Sequence, residues 1–319
     1  MTADGKTRAL TDWAFFTLLI AIIGLAGFYL PPLYGFAAIL LPLPAVLLVL
    51  KGDTRYGILG LVTAGLILTI TIPPSAAYIL VFQYGLLGIL YGLLFKDRVS
   101  SAKILSMGML YAAASAFLYL ALNFFITGNN LLVLGETERA SIEQMMAAYR
   151  DAGVFNDFPP EWQGSAAENI ISTFELFIPG QYAVSTAALA AVTCFLARAC
   201  LQRLKYFLAP GLVFTTISLP WYSIWGPIMG LALTLAGDNF SWLLAAKTGK
   251  NILFILFWLY LILGLSIATY FFRKINIAWP IKLILLLFAL AYLPFSTVVV
   301  VLLGATDPLV NFRRLPSRS

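Results

Sequence analysis

Apolar runs recur along the chain between Trp13 and Leu303, each about as long as the roughly 20 residues a helix needs to cross a hydrocarbon core. Nothing else in the sequence limits the fold so strongly. Backbone groups at membrane depth find no water, so each run must pair its own N–H and C=O groups, which a helix does within the segment. A β-barrel would show short strands of alternating polarity, and the sequence has no such pattern. A soluble fold is excluded by composition: 61% of the 319 residues are hydrophobic and 11% are charged, against about 25% charged in soluble domains. The expected fold is all-α, a polytopic transmembrane bundle of eight to nine hydrophobic spans.

The runs are read as spans at 13–30, 33–50, 56–72, 75–95, 104–126, 181–201, 211–236, 252–272 and 281–303. Pro31-Pro32 and Pro73-Pro74 fall between spans and mark hairpin tips, since proline stops one helix and starts the next. The first run lacks a small-residue cleavage site and is followed by others, so it reads as a retained helix and no signal peptide. Four regions follow: 1–126, an N-terminal membrane domain of five spans; 127–177, an acidic loop with amphipathic helices; 178–304, a C-terminal membrane portion of three to four spans; and 305–319, a basic tail.

Lys6 and Arg8, Lys51 and Arg55, Lys96, Arg98 and Lys103, and Arg198, Arg203 and Lys205 all fall on one side of this arrangement. By the positive-inside rule that side is the cytoplasm. A multi-pass protein of the bacterial cytoplasmic (inner) membrane is therefore expected, with its N-terminus cytoplasmic and the lipid bilayer as its first partner. The net charge of +6 reflects these groups at span ends; no basic face with interleaved aromatics suggests nucleic acid. The 127–177 loop carries Glu136, Glu138, Glu143, Asp151, Asp157, Glu161, Glu168 and Glu175 against only Arg139 and Arg150, and is placed outside. Within it Ser165 and Glu168 have capping-box spacing, and Ile170, Ile171, Phe174 and Phe177 follow at helical spacing. An amphipathic helix on the membrane surface, or a ligand lid, fits that pattern. Gly128-Asn129-Asn130 and Phe158-Pro159-Pro160 read as bounding turns. Pro220, Trp221, Trp225, Gly226 and Pro227 make 211–236 the least regular run, so eight full spans with one irregular segment is the favoured count.

The chain has no histidine, which removes the commonest general base and the commonest transition-metal ligand. Its acidic residues avoid span centres, against the habit of proton-coupled pumps. No Gly-rich phosphate loop with Lys and Ser or Thr is present. Cys194 and Cys200 read as small core residues. The chain is thus expected to be no enzyme and to hold no metal or cofactor. Neutral polar groups remain. Gln83, Tyr84, Asn123 and Gln181, with Tyr182, would line a polar-aromatic pocket for an uncharged small molecule if their helices face one another. The rival reading is hydrogen bonding between helices with no ligand. Tyr34, at a span start, reads as an interface anchor. Rows of small residues, Gly60 with Ala64, Gly88 with Gly92, Ala112 with Ala116, and Ala183, Ala187 and Ala191, serve close helix packing or a docking surface for another subunit.

Several short motifs carry a resemblance. They are Thr7-Arg8-Ala9-Leu10-Thr11-Asp12 opening the first span, the turn Leu41-Pro42-Leu43-Pro44, the basic-Gly stretch from Lys51 to Gly57, and Leu219-Pro220. Asn251 at a late span start, and Gly304, Asp307 and Phe312-Arg313 after the last one, complete the set. In this order they resemble the YybS-like family of predicted bacterial membrane proteins, a domain of unknown function. The front portion is more distantly similar to the substrate-capture (S) components of energy-coupling-factor vitamin transporters. That likeness implies a membrane component binding a small vitamin-like solute and working with separate ATPase and coupling membrane subunits. A membrane scaffold or assembly protein with no solute ligand is the alternative.

Overall fold

The computed structural model describes residues 3–128, 131–154, 160–274 and 278–315. Among the described residues there are helices and no strand. In chain order they are α1 (Ala3–Tyr29), α2 (Tyr34–Leu40), α3 (Pro42–Lys51), α4 (Thr54–Thr71), α5 (Pro74–Tyr78), a π-helix (Ile79–Gly85), α6 (Leu86–Lys96) and α7 (Ser101–Thr127). Then come α8 (Glu136–Asp151), α9 (Pro160–Arg203), α10 (Trp225–Asn239), α11 (Leu243–Lys274), α12 (Trp279–Ala291) and α13 (Leu293–Val310). Among the described residues, eight segments are long and apolar enough to cross a membrane: Leu10–Tyr29, Pro31–Lys51, Thr54–Thr71, Pro74–Lys96, Ser101–Phe125, Ser165–Arg203, Leu243–Lys274 and Leu293–Val310.

Contacts divide the chain into two units, the first comprising Met1–Leu131 with Tyr182–Gly211 and the second Leu132–Gln181 with Leu212–Ser319. In the first unit α3 lies close against α6 because both present small residues at the crossing. A Cβ on Gly88 would come within 2.5 Å of the Pro42 carbonyl oxygen, and one on Gly92 within 2.7 Å of Val49. Gly60 likewise faces Leu48 and Thr17. Ala64, Ala112, Ala116 and Ala183 are buried, so these small-residue positions serve packing inside the bundle. Tyr91, fully buried, fills the space opposite Gly108 and donates its hydroxyl hydrogen to the Ala190 carbonyl at 2.8 Å. Lys51 pairs with Asp12, Lys96 with Asp53, and Arg198 donates to Ser101, so the basic residues at these span ends gather at one end of the unit.

The Leu41-Pro42-Leu43-Pro44 turn lies inside the second span, between α2 and α3. Leu41 keeps right-handed helical geometry (φ −56°, ψ −37°), and the motif forms a joint inside the second span. Pro42 and Pro44 lack N–H groups, which leaves carbonyls of the preceding turn without their usual donors. These are Ala38 and Leu40, one turn before each proline; the buried Thr193 hydroxyl donates to the carbonyl between them, Ile39, at 3.3 Å.

In the second unit α10 packs along α11, and α11 against α13. Gly264 and Gly304 let the last two meet backbone to backbone, each facing a carbonyl of the other helix (Val300 and Tyr260). The 211–236 run does not form a span. It is extended chain with short 3-10 turns at Phe214–Thr216 and Trp221–Ile224, followed by the 15 residues of α10, about 22 Å of helix against a core of about 30 Å. The 281–303 run is also broken, at Tyr292, because Pro294 cannot donate to the carbonyl one turn earlier.

The expected surface helix is no separate element. Ile170 to Phe177 lie in α9, a single 44-residue helix that continues through Pro179 to Arg203. Ser165 sits inside it, accepting from the Asn169 side-chain amide at 3.1 Å rather than capping its start. Gly128 caps α7 with φ 70°, a left-handed conformation suited to glycine. Asn129, Asn130, Phe158 and Pro159, from the two expected turns, and residues 316–319 of the basic tail lie outside the described residues.

Candidate functional site

Gln83 lies near the middle of the span Pro74–Lys96, on the π-helix Ile79–Gly85. A π-turn is wider than an α-turn and recurs at functional sites. Here the wider turn brings three successive residues, Gln83, Tyr84 and Gly85, to the buried side. Gln83 is 2% exposed and its Oε1 accepts the Tyr182 hydroxyl at 3.4 Å, while Nε2 has no partner. Whichever way the carboxamide is turned, Tyr182 serves one end and the other is left over. An unpaired buried amide costs about 1–3 kcal/mol.

Phenol groups surround this amide. The Tyr84 hydroxyl, on a buried ring, interacts with the half-exposed Tyr34 from α2, and Tyr34 also neighbours Tyr182 and Tyr119. Tyr119 interacts in turn with Asn123, one turn further along α7. Beside them Tyr78 stacks between Phe82 at 5.0 Å and Tyr119 at 6.1 Å, and the Tyr111 hydroxyl donates to the Phe82 carbonyl. The group grades from open at Tyr34 to closed at Gln83. It offers aromatic faces and neutral hydrogen-bonding groups with no carboxylate or ammonium among them. Such a set orients an uncharged solute.

Of the four residues singled out for ligand contact, Gln83, Tyr84 and Asn123 thus join one cluster. Gln181 does not: it is exposed and lines a cavity of the second unit with Phe177 and Phe254. Tyr34, read as an interface anchor, is half-exposed and has its hydroxyl beside Tyr84. Tyr78, Tyr111 and Tyr119 were missed. Their signal was tyrosine where phenylalanine would serve an apolar span, since a buried phenol needs a partner.

The motif residues hold structure. Pro42 and Pro44 form the joint of the second span, and Pro220 leads in extended geometry into the turn Trp221–Ile224. Asn251 accepts the Gly180 N–H at 2.7 Å and donates to the carbonyls of Leu176 and Lys247, both at 2.8 Å. Asp307 and Arg313 pair at 2.7 Å with side chains 4% and 0% exposed. Arg313 also donates to the Thr215 and Ile217 carbonyls at 2.9 and 2.6 Å and to the Ser266 hydroxyl at 2.8 Å, and Ser266 donates to the Phe214 carbonyl at 2.6 Å. The extended stretch before α10 therefore finds donors for its carbonyls from α11 and the chain after α13, as irregular backbone at membrane depth requires.

The family model described as "Predicted membrane protein (DUF2232)" matches residues 18–308, in keeping with the family of predicted membrane proteins to which the motifs point. No curated protein and no solved structure matches the chain.

Proposed function

The chain belongs to this DUF2232 family of predicted membrane proteins, and we propose that within it the chain is a non-enzymatic substrate-binding component of a small-molecule transporter, taking an uncharged, vitamin-like solute at the Gln83 cluster. The observation that carries this reading is the Gln83 carboxamide, buried at mid-span with one end unpartnered. A bilayer penalises such a group strongly, and a solute acceptor or donor arriving between Tyr34 and Tyr84 relieves the penalty. With no phosphate-binding loop in the sequence, uptake relies on separate ATPase and coupling subunits. The basic end of the first unit faces the cytoplasm in this proposal, and the membrane is the bacterial inner membrane.

The rival scaffold reading rested on rows of small residues as docking faces. Those rows are largely packed inside the first unit, which leaves that reading to the acidic segment alone.

Native mass spectrometry of protein purified gently from its own membrane tests the proposal. A stoichiometric small molecule retained by the wild type and lost from Gln83→Leu and Tyr84→Phe is expected. A protein that carries no small molecule and only other polypeptides would overturn it and favour the scaffold.

A further inference from the structure

The second unit holds a feature that the Gln83 cluster does not use. Along α8, Met145, Met146 and Tyr149 face Ile170, Phe174 and Phe177 of α9 across an open cavity of about 1040 Å³ whose floor includes Phe254 of α11. The two helices are tethered where Glu175 accepts from Arg139 and from the Leu134 N–H. Beyond that tether they stay apart: Met146 is buried, whereas Met145, Tyr149 and Phe174 are 45%, 48% and 50% exposed. An apolar surface of this kind facing itself across a gap marks a binding groove. We propose that this groove holds one hydrocarbon chain of a membrane lipid.

Two observations select that occupant. Among the described residues the lining carries no charge; its polar members, such as Asn169, Thr173 and Gln181, are neutral, so the groove suits a hydrocarbon chain. The α9 lining runs from Ala166 to Gln181, about 22 Å of helix, longer than the roughly 15 Å that one leaflet gives an acyl chain.

Position supplies the rest. The apolar stretch Ser165–Arg203 has 39 residues and extends about 58 Å, nearly twice the hydrocarbon thickness. Its two ends cannot both lie in the core. The charged groups Glu175, Arg139 and Lys247 gather beside the groove, which sets it at the membrane boundary, within reach of lipid chains.

The test uses the full chain in phosphatidylcholine nanodiscs doped with phosphatidylcholine bearing a diazirine on one acyl chain, with photolabelled residues mapped by mass spectrometry. Labels on Met145, Met146, Tyr149 and Phe174 are expected, and groove-filling Ala166→Trp should lower them about fivefold while labels on α12 stay unchanged. A second filling variant, Thr173→Leu, guards against misfolding of the first. Labels confined to α12 and other outward faces would overturn the proposal, as would groove labelling that neither filling variant reduces. Crosslinking of the same residues in native membranes to a partner polypeptide instead of lipid would overturn the lipid occupant.

Discussion

The Asn251 carboxamide completes a hydrogen-bond ladder that Gly180 has lost. In an unbroken helix the Gly180 N–H would donate to the Leu176 carbonyl, but Pro179 disturbs α9 at this point. Asn251 stands in the gap, accepting from Gly180 at 2.7 Å and donating to Leu176 at 2.8 Å, so both groups are satisfied by a side chain of α11.

Asn251→Leu therefore strands a donor and an acceptor in a site where Asn251 itself is 7% exposed. Each stranded group costs about 1–3 kcal/mol, and thermal unfolding in detergent should show a lowered midpoint. The specific check is the background. In Pro179→Ala the helix can close its own ladder, so the same Asn251→Leu change should cost markedly less. An equal cost in both backgrounds would show that Asn251 acts by packing alone.

Asp307 and Arg313 invite a different experiment. The pair is buried, and removing one partner leaves an uncompensated charge worth about 3–5 kcal/mol. Asp307→Asn and Arg313→Met are each expected to destabilise the second unit by that order. The double variant should recover only part of the loss, because Arg313 also serves the Thr215 and Ile217 carbonyls, which no longer find a donor. A double-mutant cycle by thermal unfolding measures this, and full recovery would mean that the carbonyl contacts contribute nothing.

These two sites also mark how far sequence reasoning reaches. Span length and the absence of charge inside runs made the helices legible, since the bilayer imposes one solution on any such run. Gln83, Tyr84 and Asn123 were legible as neutral polar groups in apolar spans for the same reason. Pairings between residues far apart in the chain were not: Arg313 lies 98 positions from Thr215, and nothing local says that a residue beyond the last span turns back to cap an extended stretch. The break at Tyr292 was hidden because its flanks are uniformly apolar, and only Pro294 signalled it. Gln181 and Tyr182 look equivalent in the sequence, yet adjacent side chains on a helix point about 100° apart, and the two serve different surroundings.

Asp53 gives a pH dependence. Its carboxylate accepts the Thr54 N–H at 2.8 Å at the start of α4, and Lys96 sits 3.4 Å away; both hold its pKa below the ordinary 3.8. A depressed folded-state pKa means that the unfolded chain binds the proton more readily, so the stabilisation is complete above the unfolded value and disappears as pH falls through the folded one. The gap between wild type and Asp53→Asn in thermal midpoint should be constant from neutral pH down to about 5 and then close on further acidification. The group is exposed and screened, so the gap should be small and shrink in high salt. A gap that stays constant through the acid range would show that its charge plays no part.

Gln83 separates binding from stability by the sign of one measurement. If the carboxamide only ties helices together, Gln83→Leu loses the Tyr182 contact and the protein melts earlier. If it is held open for a solute, the empty protein carries an unpaired Nε2, and a leucine of similar length removes a penalty of about 1–3 kcal/mol. The solute-free variant should then melt later than solute-free wild type, although the Tyr182 hydroxyl loses its 3.4 Å partner. Tyr182→Phe should do the opposite, since it leaves both ends of the amide unpaired, and it should lower the midpoint. Thermal unfolding of the ligand-stripped proteins decides the matter: a Gln83→Leu midpoint below that of wild type would remove the physical ground for a binding site at this residue.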